Sequence, residues 1–193
     1  MTQILKPDLL PTKASMLTLV AALAVESGIA MATGIRGKIK WPNDIVVNGK
    51  KICGILTEMS AEMEGIHHVV VGIGINANMK SFPAEIQKVA TSLSIEKQEE
   101  VNRSDIICEI MKKFEYYYEK FIKEGDLSLL VEEYNGKMVN QNERVKVIGS
   151  EEEFQGTARG ITKTGELVID KDGEGIITVL SGEVSVRGVY GYV

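Results

Sequence analysis

The residues best suited to chemistry lie in one short run, Lys40-Trp41-Pro42-Asn43-Asp44. Read alone, a lysine at a strand end is most often a solvated charge. Here it precedes a rigid Trp-Pro corner and two side chains suited to local hydrogen bonds, and such a corner fixes where an ammonium points. A fixed cation beside a hairpin is what an anionic transition state requires. A second run, Lys51-Ile52-Cys53-Gly54-Ile55-Leu56, places a glycine inside a strand. Glycine weakens a strand unless a bulge or a close ligand needs the missing side chain, and both readings stand. The third run, Gly72-Ile73-Gly74-Ile75-Asn76-Ala77, matches the G-x-G-x-x-[GA] dinucleotide signature in letters. The stretch after it is short, polar and broken by Pro83, so no helix start is present to receive a pyrophosphate. A plain glycine-rich strand end is the competing reading. There is no G-x-x-x-x-G-K-[ST] run, so a P-loop is excluded.

Composition narrows the classes. The chain has 193 residues, 44% hydrophobic and 25% charged, enough for one ordinary domain plus a small one and too apolar for disorder. The net charge of −5, from 22 basic and 27 acidic residues, argues against nucleic acid as a partner of these residues. Cys53 and Cys108 form no CxxC pair and His67 and His68 are adjacent, so neither a zinc-finger spacing nor a disulfide framework exists. The long apolar stretch from Met16 to Ala32 contains Glu26, Ser27 and Gly28, whereas a spanning helix needs about 20 apolar residues with few charges. The expectation is a soluble, cytoplasmic protein with no membrane partner.

The elements that must position these runs are set by periodicity. Residues 1–5 read as a strand end. Thr12 is the expected N-cap of a helix over about 14–33, apolar on nearly every face and therefore buried, closed by Gly34. Gly28 inside it marks a close packing contact. Strands are expected over 35–41, 45–47, 51–59 and 69–75, the middle pair joined at Asn48-Gly49, a strong hairpin signal. A polar loop with short helical pieces spans 77–103. Ser104 or Asp105 is the expected cap of an amphipathic helix that presents Ile107, Ile110, Met111, Phe114, Tyr117, Tyr118 and Phe121 and ends at Gly125. A short helix over 126–134 comes next. Strands over 144–148, 153–159, 166–169, 176–180 and 183–187, separated by turn residues, predict a small closed antiparallel barrel.

Taken in order and spacing, Lys40-Trp-Pro-Asn-Asp44, Lys51-Ile-Cys-Gly-Ile-Leu56 and Gly72-Ile-Gly-Ile-Asn76 resemble the catalytic domain of biotin protein ligases (biotin–[acetyl-CoA-carboxylase] ligases). Leu180-Ser-Gly-Glu-Val-Ser-Val-Arg187 resembles the end of their C-terminal barrel. The resemblance implies an α+β fold: a partial class II synthetase-like mixed or antiparallel sheet with packed helices over 1–138, then a small SH3-like β-barrel over 139–193. It implies joining of biotin and ATP into biotinyl-5′-adenylate, with Mg²⁺ screening the triphosphate, and transfer to a lysine of a biotin carboxyl carrier domain of a carboxylase. Lys40 is then the catalytic residue between the biotin carboxylate and the α-phosphate. Gly54, Ile55 and Leu56 contact biotin, while Asn43, Asn76 and Arg187 serve ATP. Trp41, Pro42, Asp44, Lys51, Gly74 and Glu183 shape the site.

No run here matches the Gly-Arg-Gly-Arg-x-Gly-Arg loop or the Ser-Thr and Gln biotin positions of the family. An N-terminally truncated ligase, weak or inactive alone and without a DNA-binding domain, is therefore the expectation. An unpaired sheet edge would result, and a homodimer through the sheet is compatible with the resemblance. A lipoate–protein ligase and a non-catalytic carrier-binding scaffold are the alternatives.

Overall fold

A computed structural model describes the chain except residues 63–64, 150–151, 183, 189–191 and 193. The first sheet is built from β1 (Thr2–Leu5), β2 (Lys38–Lys40), β3 (Asp44–Val47), β4 (Lys50–Glu62) and β5 (Gly65–Ile75). These five strands stand in the order β1-β5-β4-β3-β2, every neighbour antiparallel. The β3–β4 turn forms at Asn48 and Gly49, whose φ values of 50° and 75° suit the tight hairpin these residues favour.

One face of this sheet is covered by α1 (Met16–Thr33), which touches β2, β3, β4 and β5. A long amphipathic helix, Arg103–Glu124 (α3 in chain order), packs on the far side of α1. Leu17, Val20, Ala21, Leu23 and Val25 are each 0% exposed, because a helix apolar all round must be covered all round. By length and composition this segment would also suit a membrane; here protein encloses it. Gly28 is where the two helices meet most closely: a Cβ there would lie 2.6 Å from the Ile110 Cα.

Several boundaries differ from expectation. A 3-10 turn at Pro11–Lys13 takes the place where Thr12 was expected to cap, and Ser15 precedes α1. The strand expected over 35–41 shortens to β2. Asn102, whose side chain accepts from Ser104 N, caps α3 ahead of the expected residue. That helix buries Ile106 and leaves Ile107 and Met111 exposed, because three-and-four spacing fixes a stripe only to within one residue. The short helix α2 (Leu93–Lys97) lies in the polar loop. The helix expected over 126–134 is shifted to α4 (Val131–Lys137), because the Asp126 side chain ties the backbone of Ser128 into a local turn instead.

Where α1, α3 and α4 converge, Glu26 pairs with Lys137, and Ser27 bonds Tyr117, whose hydroxyl donates to Glu133. A buried carboxylate such as Glu26 is tolerable only when paired in this way.

The second sheet comprises β6 (Arg144–Gly149), β7 (Glu153–Ile161), β8 (Leu167–Lys171), β9 (Gly175–Val179) and β10 (Val184–Gly188), ordered β10-β6-β7-β8-β9. All five strands stand where turn spacing put them. Among the described residues no ladder joins β9 to β10, so pairing alone does not close the barrel. Val145, Val147, Ala158, Leu167, Ile169 and Val186 fill its interior. Among the bonds that tie it to the first part of the chain, Trp41 Nε1 donates to Gly165 O at 3.1 Å, Ile161 N to Asn135 Oδ1 at 2.9 Å and Leu127 N to Lys163 O at 2.8 Å.

Candidate active site

Strand register gathers the sequence motifs into one line. The Cα partners run Lys40↔Asp44 between β2 and β3, Asp44↔Gly54 between β3 and β4, and Gly54↔Gly74 between β4 and β5. Directly paired residues share a face, so all four stand on the face turned away from α1. The neighbouring row, Ile39-Ile45-Cys53-Ile75, points the other way, with Ile39 and Ile45 fully buried. Leu56 pairs with Gly72 on the same face as Gly54. Gly54, Gly72 and Gly74 therefore make a floor without side chains.

A bulge completes the row. Ile45 pairs with Cys53 but Val46 with Lys51, so Ile52 is an extra residue on β4. An extra residue reverses the alternation beyond it, which turns Lys51 onto the Gly54 face. The bulge considered for Gly54 thus sits at Ile52, and Gly54 itself is regularly paired. Lys51 Nζ lies 2.5 Å from Asp44 Oδ1 and 3.0 Å from where a Gly54 Cβ would be. The hydroxyl of Tyr192 donates to Asp44 Oδ2, so both oxygens of this carboxylate are engaged.

Lys40 keeps its charge uncompensated at short range. It is 8% exposed, and among the described residues no carboxylate lies within ion-pair distance of its ammonium. Its neighbour on that side is the Tyr192 ring, whose centroid is 3.9 Å from Nζ. Burial lowers the Lys40 pKa from the ordinary lysine value; Asp44 opposes that shift, and Lys51 and Arg187 reinforce it. A desolvated ammonium beside two further cations draws anions to this point.

A cavity of about 470 Å³ opens beside the row, lined by Gly54, Gly74 and Asn76 and by Met79, Phe82 and Ile86 of the loop after β5. Its size and mixed lining suit a small ligand with a planar apolar part. Asn76 holds that loop, since its Nδ2 donates to Thr91 O at 3.1 Å and its backbone carbonyl accepts from Leu93 N at 2.9 Å. A second cavity of about 360 Å³ lies along Asn43, Leu56 and Thr57. Another, of about 760 Å³, is lined by residues 7–11, 13, 65–67 and 122–125 and holds none of the candidate residues.

Other expected site residues are placed differently. Ile55 is 2% exposed, with its side chain in the core, so only Gly54 and Leu56 present themselves to a ligand on the open face. The physical reason is the two-residue period of a strand. Asn43 does not line the Gly54–Gly74 cavity. Its Nδ2 donates to Ile55 O and its carbonyl accepts from Ile55 N, both at 2.9 Å, fastening the corner to β4. Trp41 is buried as the strut to the barrel, and Pro42 O accepts from Tyr134 Oη at 3.4 Å. Arg187, on β10, is exposed and acts on Lys40 through its charge. Glu183 lies outside the described residues. Sequence reasoning missed Tyr192, for which no motif signals, and the loop residues Met79, Phe82 and Ile86, which stand out only as apolar positions in a polar segment.

Comparison with known proteins agrees with this geometry. Residues 2–76 match the family described as "Biotin/lipoate A/B protein ligase family", and residues 142–187 match "Biotin protein ligase C terminal domain". The structure is similar to the biotin protein ligase from Aquifex aeolicus in complex with biotin and ATP, with TM-score 0.84 and 30% identity, covering 97% of this chain and 77% of that one.

The chain belongs to the biotin protein ligase family.

It is also 42% identical to the bifunctional ligase/repressor BirA of Bacillus spizizenii over 188 residues, which are 95% of this chain and 57% of that protein. It is 28% identical to the biotin–[acetyl-CoA-carboxylase] ligase of Mycobacterium tuberculosis over 172 residues, 87% of this chain and 61% of that one. The chain thus spans little more than half the length of these relatives. The Bacillus relative is named a repressor as well as a ligase, so net charge does not exclude nucleic acid as a partner.

Proposed function

We propose that this chain carries the adenylation centre of a biotin protein ligase, which activates biotin with ATP and passes it to a lysine of a carrier domain. The observation that carries this reading is the row Lys40-Asp44-Gly54-Gly74, which sets a desolvated ammonium at the rim of a side-chain-free floor. In the first step a biotin carboxylate oxygen bonds to the α-phosphorus of ATP and the bond to pyrophosphate breaks. Two anions must meet, and negative charge accumulates on the oxygens around phosphorus. Lys40 offsets that charge where water is largely excluded, a contribution of several kcal/mol in comparable sites. Gly54 and Gly74 let the ligand lie against exposed backbone, and Leu56 covers an apolar ring edge. The cavity bounded by Asn76 and the loop after β5 takes the adenine. In the second step the carrier amine attacks the biotinyl carbonyl, an amide forms, AMP leaves, and the amine proton passes to solvent.

Magnesium fits this donor set poorly as a protein-held ion. Among the described residues no three His, Cys, Asp or Glu converge, and Asp44 is already bound by Lys51 and Tyr192. A Mg²⁺ ion accompanying ATP would take its ligands mainly from phosphate oxygens and water.

Biotin-dependent exchange of labelled pyrophosphate into ATP tests the reading. Exchange that is weak, supported by biotin and not by lipoate, and abolished in Lys40→Ala is the expected result. Equal support by lipoate would assign the centre to lipoate, and unchanged exchange in Lys40→Ala would remove Lys40 from the mechanism. Carrier-domain binding with no adenylate formed would favour a scaffold.

A further inference from the structure

Tyr192 lies outside the residues matched to the family's C-terminal domain, which end at 187, yet it makes two contacts at the centre of the site. Its ring covers the Lys40 ammonium at 3.9 Å, and its hydroxyl takes the Asp44 oxygen that Lys51 leaves open. The same ring forms part of the wall of the 470 Å³ cavity. Cross-strand pairing holds Asp44 beside Lys40, so a freed Asp44 carboxylate would turn to that ammonium and neutralise it. The face of an aromatic ring, by contrast, stabilises a cation without cancelling its charge.

We propose that Tyr192 is a positioning residue, which shields Lys40 with its ring and holds Asp44 off it with its hydroxyl, so that the ammonium stays available to an incoming anion. The proposal deepens the ligase reading, on which its kinetic part rests; its structural part stands without it. A residue near the C-terminus thereby completes a site whose other members lie on β2 to β5, and the barrel half contributes directly to the chemistry.

Lysine acylation followed by mass spectrometry tests the structural part on the intact chain, with Lys38 as internal reference and a thermal melt to verify folding of each variant. Lys40 is expected to label about tenfold slower in Tyr192→Phe than in the wild type, because the freed Asp44 pairs with the ammonium and leaves less neutral amine to react. Equal labelling of Lys40 in wild type and Tyr192→Phe overturns the proposal. In pyrophosphate exchange, Tyr192→Phe is expected to lower kcat about tenfold with KM for biotin nearly unchanged, the size of one hydrogen bond to a charged group. An unchanged kcat overturns the tethering role. Absence of biotin binding in calorimetric titration of the wild type would count against the ligase reading, while the labelling result would still decide the place of Tyr192.

Discussion

Gly54 stands directly opposite Gly74, so the centre of the open sheet face carries backbone alone. A Cβ on Gly54 would lie 3.0 Å from Cε and Nζ of Lys51, the movable tip of a long side chain. Substitution there therefore alters the site more than the fold.

Gly54→Val is expected to keep the thermal midpoint within a few degrees of wild type, since a β-branched residue suits a strand. Its side chain would displace Lys51 from Asp44 and fill the floor. Calorimetric titration with biotin should show affinity reduced at least tenfold. Wild-type affinity would show that the ligand does not lie on this floor.

Gly28→Ala acts in the opposite way. The added methyl would meet Cα and N of Ile110 at 2.6 Å, and helix backbone yields far less than a lysine tip. Overpacking of this kind costs about 1–3 kcal/mol, against a gain of up to about 1 kcal/mol in helix propensity. A lower urea midpoint is the expected result, and a raised midpoint would mean that α1 and α3 leave room for a methyl at their crossing.

Trp41→Phe keeps most of the buried ring and removes the donor to Gly165 O. A carbonyl left without its partner costs about 1–3 kcal/mol. Because this bond ties the barrel to the first part of the chain, faster amide exchange at residues 162–166 should accompany the loss. Unchanged exchange there would show that the strut is not needed.

Cys53 gives the pH dependence. Burial pushes its pKa up from 9.0 to about 12, so the folded chain holds this proton where the unfolded chain has lost it. The contribution is fully present below pH 9 and is lost as pH rises towards 12. Cys53→Ala should flatten the fall in stability across that window in urea titrations. At pH 8 a thiol reagent should modify the exposed Cys108 and spare Cys53.

Local order was readable from the chain itself. The Asn48-Gly49 hairpin, the buried helix closed at Gly34, the close approach at Gly28 and the five barrel strands all arise from interactions between near neighbours or from an apolar pattern that admits one environment. Lys40 and Gly54 were legible as candidates for the same reason, since each is unusual for its immediate surroundings. Register and folding across long separations decided the rest. Whether Ile55 or Leu56 faces a ligand depends on strand pairing, and the direction of Lys51 on a bulge at Ile52 that no residue type announces. The meeting of Tyr192 with Asp44, 148 positions away, arises only when the chain returns to its first sheet. Sequence specifies near neighbours through short-range sterics and hydrogen bonding, whereas distant residues meet only because the whole core has packed.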